Sequence, residues 1–471
     1  MRILIYIALI FSANVFAQNE VGYLFEEMPS DSVTPKSLRK HIRLKPLIRQ
    51  PNTADDKTSY IQITGLSDLN YFQQVSPGLK TGLGVELKGA IKDKFTYRIS
   101  GVEGISESGP LFSPKTYISD SLGQFLLYSD IRSRISYTPN QVFNFQAGLD
   151  HNFIGEGSRS MFLGDYGVPY PFGQIRMRFW RVEYSILYQF LRERDNNTWE
   201  GKFASSHYLT FNATKWLSFG LFESVIFQPK DTLLNRGFDA EYLNPFVFYR
   251  PQEYSLGSSD NVLLGVDLSA YWREHTFYAQ FILDEFFLEE IKNRSGWWAN
   301  KYGGQFGIKG RFHLGENDFF YRLEYNFARP YTYSHLSEEL NYGNQNTSLA
   351  HPYGANFMEL LGELKWQRNK FFGKLFANYF LRGNDKDGYN YGGDIYQSYV
   401  NRPYEYDHYI GQGQGYNGIK TVITFGYKVL NHGNLNAFIE NHFSGTTRDN
   451  KMRYSLVVGL RSMLWNDYRN Y

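Results

Sequence analysis

Val262-Leu263-Leu264-Gly265-Val266-Asp267-Leu268-Ser269-Ala270-Tyr271-Trp272 has an apolar side chain at every even position, with Asp267, Ser269 and Tyr271 between them. A period of two belongs to a β-strand whose two faces meet different surroundings. The same split recurs along the chain. Phe319, Tyr321, Leu323, Tyr325 and Phe327 oppose Arg322, Glu324 and Asn326. Ile419, Ile423, Phe425, Tyr427 and Val429 oppose Lys420, Thr424, Gly426 and Lys428. Each stretch runs about 9 to 13 residues, enough for a strand tilted near 45° to cross a bilayer. Near the end Tyr454, Leu456, Val458, Leu460 and Leu464 alternate with Arg453, Ser455, Gly459 and Arg461, and the stretch closes on Trp465. A terminal amphipathic strand ending in an aromatic suits insertion as the last strand of a barrel. A soluble sandwich with this many long strands would leave a large apolar face in water.

Between the strands, long and short connections alternate. The long ones are read at 67–80, 104–123, 150–173, 193–201, 228–259, 288–303, 330–355, 383–416 and 443–451, and the short ones include 92–94, 138–141, 213–215, 273–274, 315–318, 367–370 and 430–434. Tight turns at one end and long loops at the other are the asymmetry of outer-membrane barrels, and the spacing predicts about eighteen strands. The expected fold is therefore all-β, a transmembrane antiparallel β-barrel with a short N-terminal segment on the periplasmic side.

Composition agrees. Tyr and Phe, at 38 and 39 copies, dominate the apolar residues of this 471-residue chain, which favours strands over helices. A formal charge of +2 gives no electrostatic footprint for nucleic acid. The absence of cysteine removes disulfides, thiolate metal sites and a cysteine nucleophile. No HExxH spacing occurs among the ten histidines, so no metal and no cofactor is expected. Met1-Arg2, the apolar Ile3 to Phe11 and the Val15-Phe16-Ala17 cleavage signal read as a signal peptide over 1–17. Residues 18–57 form a polar segment whose 36–49 stretch holds six basic residues and no acid; it reads as a solvated basic arm or as a contact for anionic surfaces. The barrel is expected over 58–465, with 466–471 as a tail.

If the apolar face meets lipid, the other face lines the lumen. Arg176, Arg178, Asp267, Arg322, Glu324, Glu359 and Glu363 are candidate lumen residues, beside Glu86, Lys88, Arg98, Lys374, Lys420 and Arg461. Mixed charges suit a paired, narrow lumen better than an open pore, and the 228–259 and 330–355 loops are long enough to fold inward. Trp297, Trp298 and Tyr302 are read as one external loop, and Tyr389, Tyr391 and their neighbours up to Tyr416 as another. Aromatic faces stack on the C–H faces of sugars while amides and carboxylates bond hydroxyls, so these loops suit a glycan surface. The bland reading is an aromatic girdle at headgroup level. Asn384-Asp385-Lys386-Asp387-Gly388 with Asp394 lacks the first and last ligands of an EF-hand loop. Gly155-Glu156-Gly157 and the 411–415 glycines lack the context of a phosphate cradle and read as loop flexibility. His207, His275 and His313 fall in no nucleophile motif, so an enzyme is not expected.

The run Gly164-Asp165-Tyr166-Gly167-Val168-Pro169-Tyr170-Pro171-Phe172-Gly173, the Asn244-Pro245-Phe246-Val247-Phe248-Tyr249-Arg250-Pro251 stretch leading through Ser259-Asp260-Asn261 into a strand, and Tyr278 to Asp284 resemble the Wzi-type capsule-assembly outer-membrane proteins. The likeness is nearest to the gliding-motility-associated versions of Bacteroidota-like bacteria. The resemblance implies an eighteen-stranded barrel, periplasmic N-terminal helices and a lectin-like role in organising surface polysaccharide; the N-terminal arm here is short for a helical bundle. Three functions stay open at this point: a non-enzymatic barrel that binds surface polysaccharide, a subunit of an outer-membrane complex serving secretion or gliding, and a porin-like channel. The partners expected are outer-membrane lipid, surface polysaccharide and other outer-membrane or secretion and gliding proteins.

Overall fold

The structure, a computed structural model, describes residues 60–73, 77–91, 94–107, 117–122, 125–140, 142–195, 198–229, 260–429 and 435–462. Nineteen strands form one sheet. The segment Tyr117–Leu122 pairs only with the start of a neighbouring strand, and the other eighteen close the barrel. They are β1 Tyr60–Gln73, β2 Pro77–Ile91, β3 Phe95–Glu107, β4 Phe125–Tyr137, β5 Phe143–Asp150 and β6 Tyr170–Phe179. Next come β7 Val182–Asp195, β8 Thr198–Phe211, β9 Leu217–Phe227, β10 Asn261–Trp272, β11 His275–Glu285 and β12 Lys301–Leu314. The last six are β13 Asn317–Ala328, β14 Phe357–Arg368, β15 Phe371–Asn384, β16 Gln414–Lys428, β17 Leu435–Thr446 and β18 Lys451–Ser462. Every strand pairs antiparallel with its sequence neighbours, and β1 closes on β18 from Asp68↔Arg461 to Gln73↔Leu456. Closure removes the free edges that would otherwise need cover.

The alternation sorts side chains into two solvents. Val266, Leu268, Trp272, Leu323, Ile419, Ile423 and Phe425 are exposed on the outside, while Arg322, Glu324 and Asn326 are buried inside and Asp267 is half-buried there. Short turns mark one end. In Trp180-Arg181, Arg273-Glu274 and Asn369-Lys370 the first residue has φ 49°, 52° and 54°, as tight hairpins require.

Three of the expected long connections are not loops. β1 and β2 run on to leave only 74–76 between them, β7 and β8 leave 196–197, and β17 and β18 are joined by 447–450. Their strand ends carry lumen-facing polar residues such as Asp68, Asn70 and Lys80, with Lys80 Nζ 3.0 Å from Asp68, so they look like loop to a hydrophobicity reading. The long connections 151–169, 286–300, 329–356 and 385–413 all lie at the opposite end from the tight turns. The 228–259 loop, residues 1–59 and Trp465 lie outside the described residues, apart from Gln228 and Pro229.

Candidate functional site

The core of this molecule lies within the barrel. One apolar cluster joins Ile154, Met161, Phe162 and Leu163 of the 151–169 loop to Tyr333, Leu340, Tyr342, Leu349 and Tyr353 of the 329–356 loop, and to inward residues including Phe172, Phe222, Leu263, Ile282, Phe357 and Phe380. Phe162 stacks on Phe222 at 4.8 Å between ring centroids and 2° between planes. Gly265 makes that possible, because a Cβ there would stand 2.4 Å from the Phe162 ring.

Polar anchors set the position of the 151–169 loop. Gln280 Nε2 donates to the Ile154 carbonyl (3.1 Å), and its Oε1 accepts the Met161 N–H (2.9 Å). Gln305 Nε2 donates to the Arg159 carbonyl (2.9 Å), Glu324 accepts the Ser158 N–H (2.7 Å), and Lys309 Nζ lies 2.5 Å from Glu156 Oε2. Strands β11, β12 and β13 thus satisfy a loop backbone that would otherwise be costly to bury. Glycine at 155 and 157 serves close approach rather than flexibility: Gly155 has φ 140°, and a Cβ on Gly157 would meet the Arg159 carbonyl at 2.5 Å.

Glu359 of β14 ties the two loops to each other. Its carboxylate lies 3.4 Å from Arg159 Nη2 and 2.9 Å from His351 Nε2, and accepts from Asn378 Nδ2 at 2.6 Å and Asn326 Nδ2 at 3.1 Å. Burial holds the His351 ring down at about 4, with Glu359 opposing and Arg159 adding to the shift. The 329–356 loop is further pinned where Lys202 donates to the Asn341 carbonyl (3.1 Å), Tyr333 donates to the Met161 carbonyl (2.8 Å), and Asp284 accepts the Tyr333 N–H (2.8 Å).

Several of the other candidate lumen residues sit in local ion pairs with side chains of the barrel wall. Arg176 and Arg178 share Glu183; Arg322 Nη1 donates to Glu363 Oε2 at 2.9 Å, with Lys365 and Lys374 also within 3.5 Å of that carboxylate. Asp267 accepts from the Tyr208 hydroxyl at 2.6 Å, and Glu324 from the Tyr278 hydroxyl at 2.8 Å.

Above the packed core, at the long-loop end, a cleft of about 490 Å³ opens between the 329–356 and 385–413 segments. Tyr353, Arg382, Asp385, Asp394, Tyr396, Gln397, Gln414 and Arg448 line it, with Asn346 and Asn384. The Arg382 guanidinium lies 4.8 Å over the Tyr353 ring and donates to the Tyr353 carbonyl (3.1 Å). Tyr396 donates its hydroxyl to the Thr347 carbonyl (2.9 Å), and Asp394 accepts from the Tyr396 N–H (3.0 Å) and from Gln397 Nε2 (3.3 Å). Burial raises the Tyr353 and Tyr396 phenols, which keeps them neutral. The wall therefore presents amides, carboxylates, guanidiniums and phenols, of which Arg382, Tyr396 and Asp394 are held by backbone contacts.

The five aromatic residues singled out from the sequence do not converge on this cleft. Trp298 is bracketed by Tyr399 (4.6 Å), Tyr331 (6.1 Å) and the Arg402 guanidinium (4.2 Å), and Trp297 meets Phe287 edge-on at 6.0 Å. Tyr302 is no loop residue but the second residue of β12, on its outward side with Arg329 5.4 Å over the ring. Tyr389 is exposed beside a bridge to Lys386, and Tyr391 flanks the cleft through its N–H, which Asp385 accepts at 2.9 Å. Arg382, Arg448 and Gln414 gave no signal in the sequence, since each sits at a strand end or in a tight turn. Tyr396 was visible only as one member of a tyrosine-rich stretch.

No family model matches the sequence, and no curated protein matches it either. Among solved structures, the chain is similar to Wzi of Escherichia coli, an outer-membrane protein involved in group 1 capsule assembly and described as a carbohydrate-binding β-barrel. The TM-score is 0.56 at 14% identity, over 85% of this chain and 83% of that one. It also matches the outer-membrane protein OpdK of Pseudomonas aeruginosa, solved with vanillate (TM-score 0.47, 8% identity, 85% and 98% covered), and OprD of the same organism (0.44, 10%, 86% and 93%). At these identities the likeness concerns the fold, and the fold is that of an eighteen-stranded outer-membrane β-barrel.

Proposed function

We propose that this barrel is a non-enzymatic surface protein that holds polysaccharide in the cleft at its long-loop end. The carrying observation is the composition of that cleft: Tyr396 offers a half-buried ring, while Asp385, Asp394, Gln397, Gln414, Arg382 and Arg448 offer donors and acceptors for hydroxyls. A packed interior beneath it favours a holding role over a through-flow role. In this reading the long loops face the exterior, 1–17 is a removed signal peptide and 18–57 lies on the periplasmic side. The carbohydrate-binding description of the Wzi barrel supports the same class of ligand. A glycan array probed with the purified barrel at low salt and neutral pH is the test: binding to a defined set of polysaccharides is expected, and a blank array would sink the proposal.

A further inference from the structure

Past the end of β11 the chain enters α1, Leu288–Asn293, through Phe286 and Phe287. The helix buries none of its residues. Phe286, Phe287, Leu288 and Ile291 are all exposed, and 287, 288 and 291 fall on one side of the helix, with Glu289 and Asn293 opposite. A cluster of large apolar side chains in water on a rigid segment calls for a cover.

The segment is rigid. Asn300 Oδ1 accepts the Phe287 N–H at 2.7 Å, the Asp407 and His408 N–H groups donate to the Ser295 and Gly296 carbonyls at 2.9 Å each, and Arg294 caps the helix in the left-handed region at φ 53°. Its position supplies the cover. The outward row of β11, Phe277, Phe281 and Leu283, belongs to the face that meets lipid, and the half-exposed Glu285 marks the upper edge of that row. Phe287, still extended at φ −125° and ψ 110°, is the next residue of the 277, 281, 283, 285 parity, so it carries this row one step past the edge. The exposed Leu288 and Ile291 follow in sequence, and the exposed Lys292 and Arg294 come directly after them.

We infer that Phe286, Phe287 and α1 form an interfacial anchor, lying at the headgroup–acyl boundary of the leaflet at the long-loop end, with the lipid itself as partner. The geometry of the barrel carries this, independently of any glycan. Trp297, edge-on to Phe287, then sits at headgroup level.

The chain has no cysteine, so a single introduced thiol can be labelled cleanly. Leu288→Cys, Ile291→Cys and Glu289→Cys would each carry a nitroxide in bilayers of phosphatidylcholine and phosphatidylglycerol, with heat-modifiable gel mobility checking that each barrel is folded. Oxygen partitions into lipid and a nickel chelate stays in water. Labels at 288 and 291 should show a several-fold higher oxygen-to-nickel accessibility ratio than the label at 289. Equal ratios at all three positions would overturn the inference by placing the helix in water. Shielding of 288 and 291 from both reagents would overturn it in favour of a protein cover, such as a second copy of the chain.

Discussion

Glu359→Ala removes a carboxylate that holds Arg159 from the 151–169 loop and His351 from the 329–356 loop, all with side chains at most 1% exposed. The lumen gains no replacement charge, so the Arg159 guanidinium is left buried beside an apolar gap. Breaking a buried ion pair from one side costs about 3–5 kcal/mol. The donors of Asn378 and Asn326 lose an acceptor as well. Taking about 4 kcal/mol for the docked loops, and about 1.4 kcal/mol per tenfold, the undocked population rises by roughly three decades. Amide hydrogen exchange at Ser158, Arg159 and Met161 reads this directly, because these N–H groups are bonded to Glu324 and Gln280 and exchange only on opening. Planar-bilayer recording should show brief openings in the variant that the parent lacks. Glu359→Gln, which keeps the shape and most hydrogen bonds, should fall between the two. Exchange rates in Glu359→Ala equal to those of the parent would refute the idea that this carboxylate latches the loops.

Acid should loosen the same assembly. Burial holds the His335 and His351 rings down at about 4, against 6.5 for a free imidazole. The docked loops therefore bind fewer protons than the released ones between those values, so docking is fully favoured above about pH 6.5 and weakens as pH falls toward 4. Proteolytic cleavage within 329–356, measured from pH 7 to pH 4, should rise across that window, and a flat profile would count against it. Gly265→Val drives a side chain into the Phe162 ring, which a Cβ alone would meet at 2.4 Å; overpacking of this kind costs about 1–3 kcal/mol and should lower the thermal midpoint of the folded barrel. Leu323→Arg places a charge on the lipid-facing side of β13 and should cost about 2–4 kcal/mol in refolding into bilayers if that position lies near the midplane.

The barrel was legible because lipid and lumen impose opposite chemistry on alternate residues, so Val266 beside Asp267 and Leu323 beside Arg322 announce the strand without any long-range information. Strand ends were less legible. Beyond the lipid belt nothing requires an apolar outer face, and Asp68, Asn70 and Lys80 then read as loop although they are strand. The inward fold of 330–355 was expected from its length, but nothing in the sequence announces the burial of 151–169. Its Gly155-Glu156-Gly157-Ser158-Arg159 run is polar, and its partners Gln280, Gln305, Lys309, Glu324 and Glu359 lie more than a hundred residues away in sequence. The cleft was hidden for the same reason: Arg382, Asp394 and Arg448 meet only when three connections converge over the barrel mouth.

Isothermal titration of the purified barrel with polysaccharide extracted from the surface of the cells that make it tests the central claim most directly. The account predicts saturable binding, weakened at least tenfold, about 1.4 kcal/mol, in a Tyr396→Ala and Asp394→Asn double variant that still runs as a folded barrel. Saturable binding that the double variant retains in full, or no binding by the parent, would contradict it.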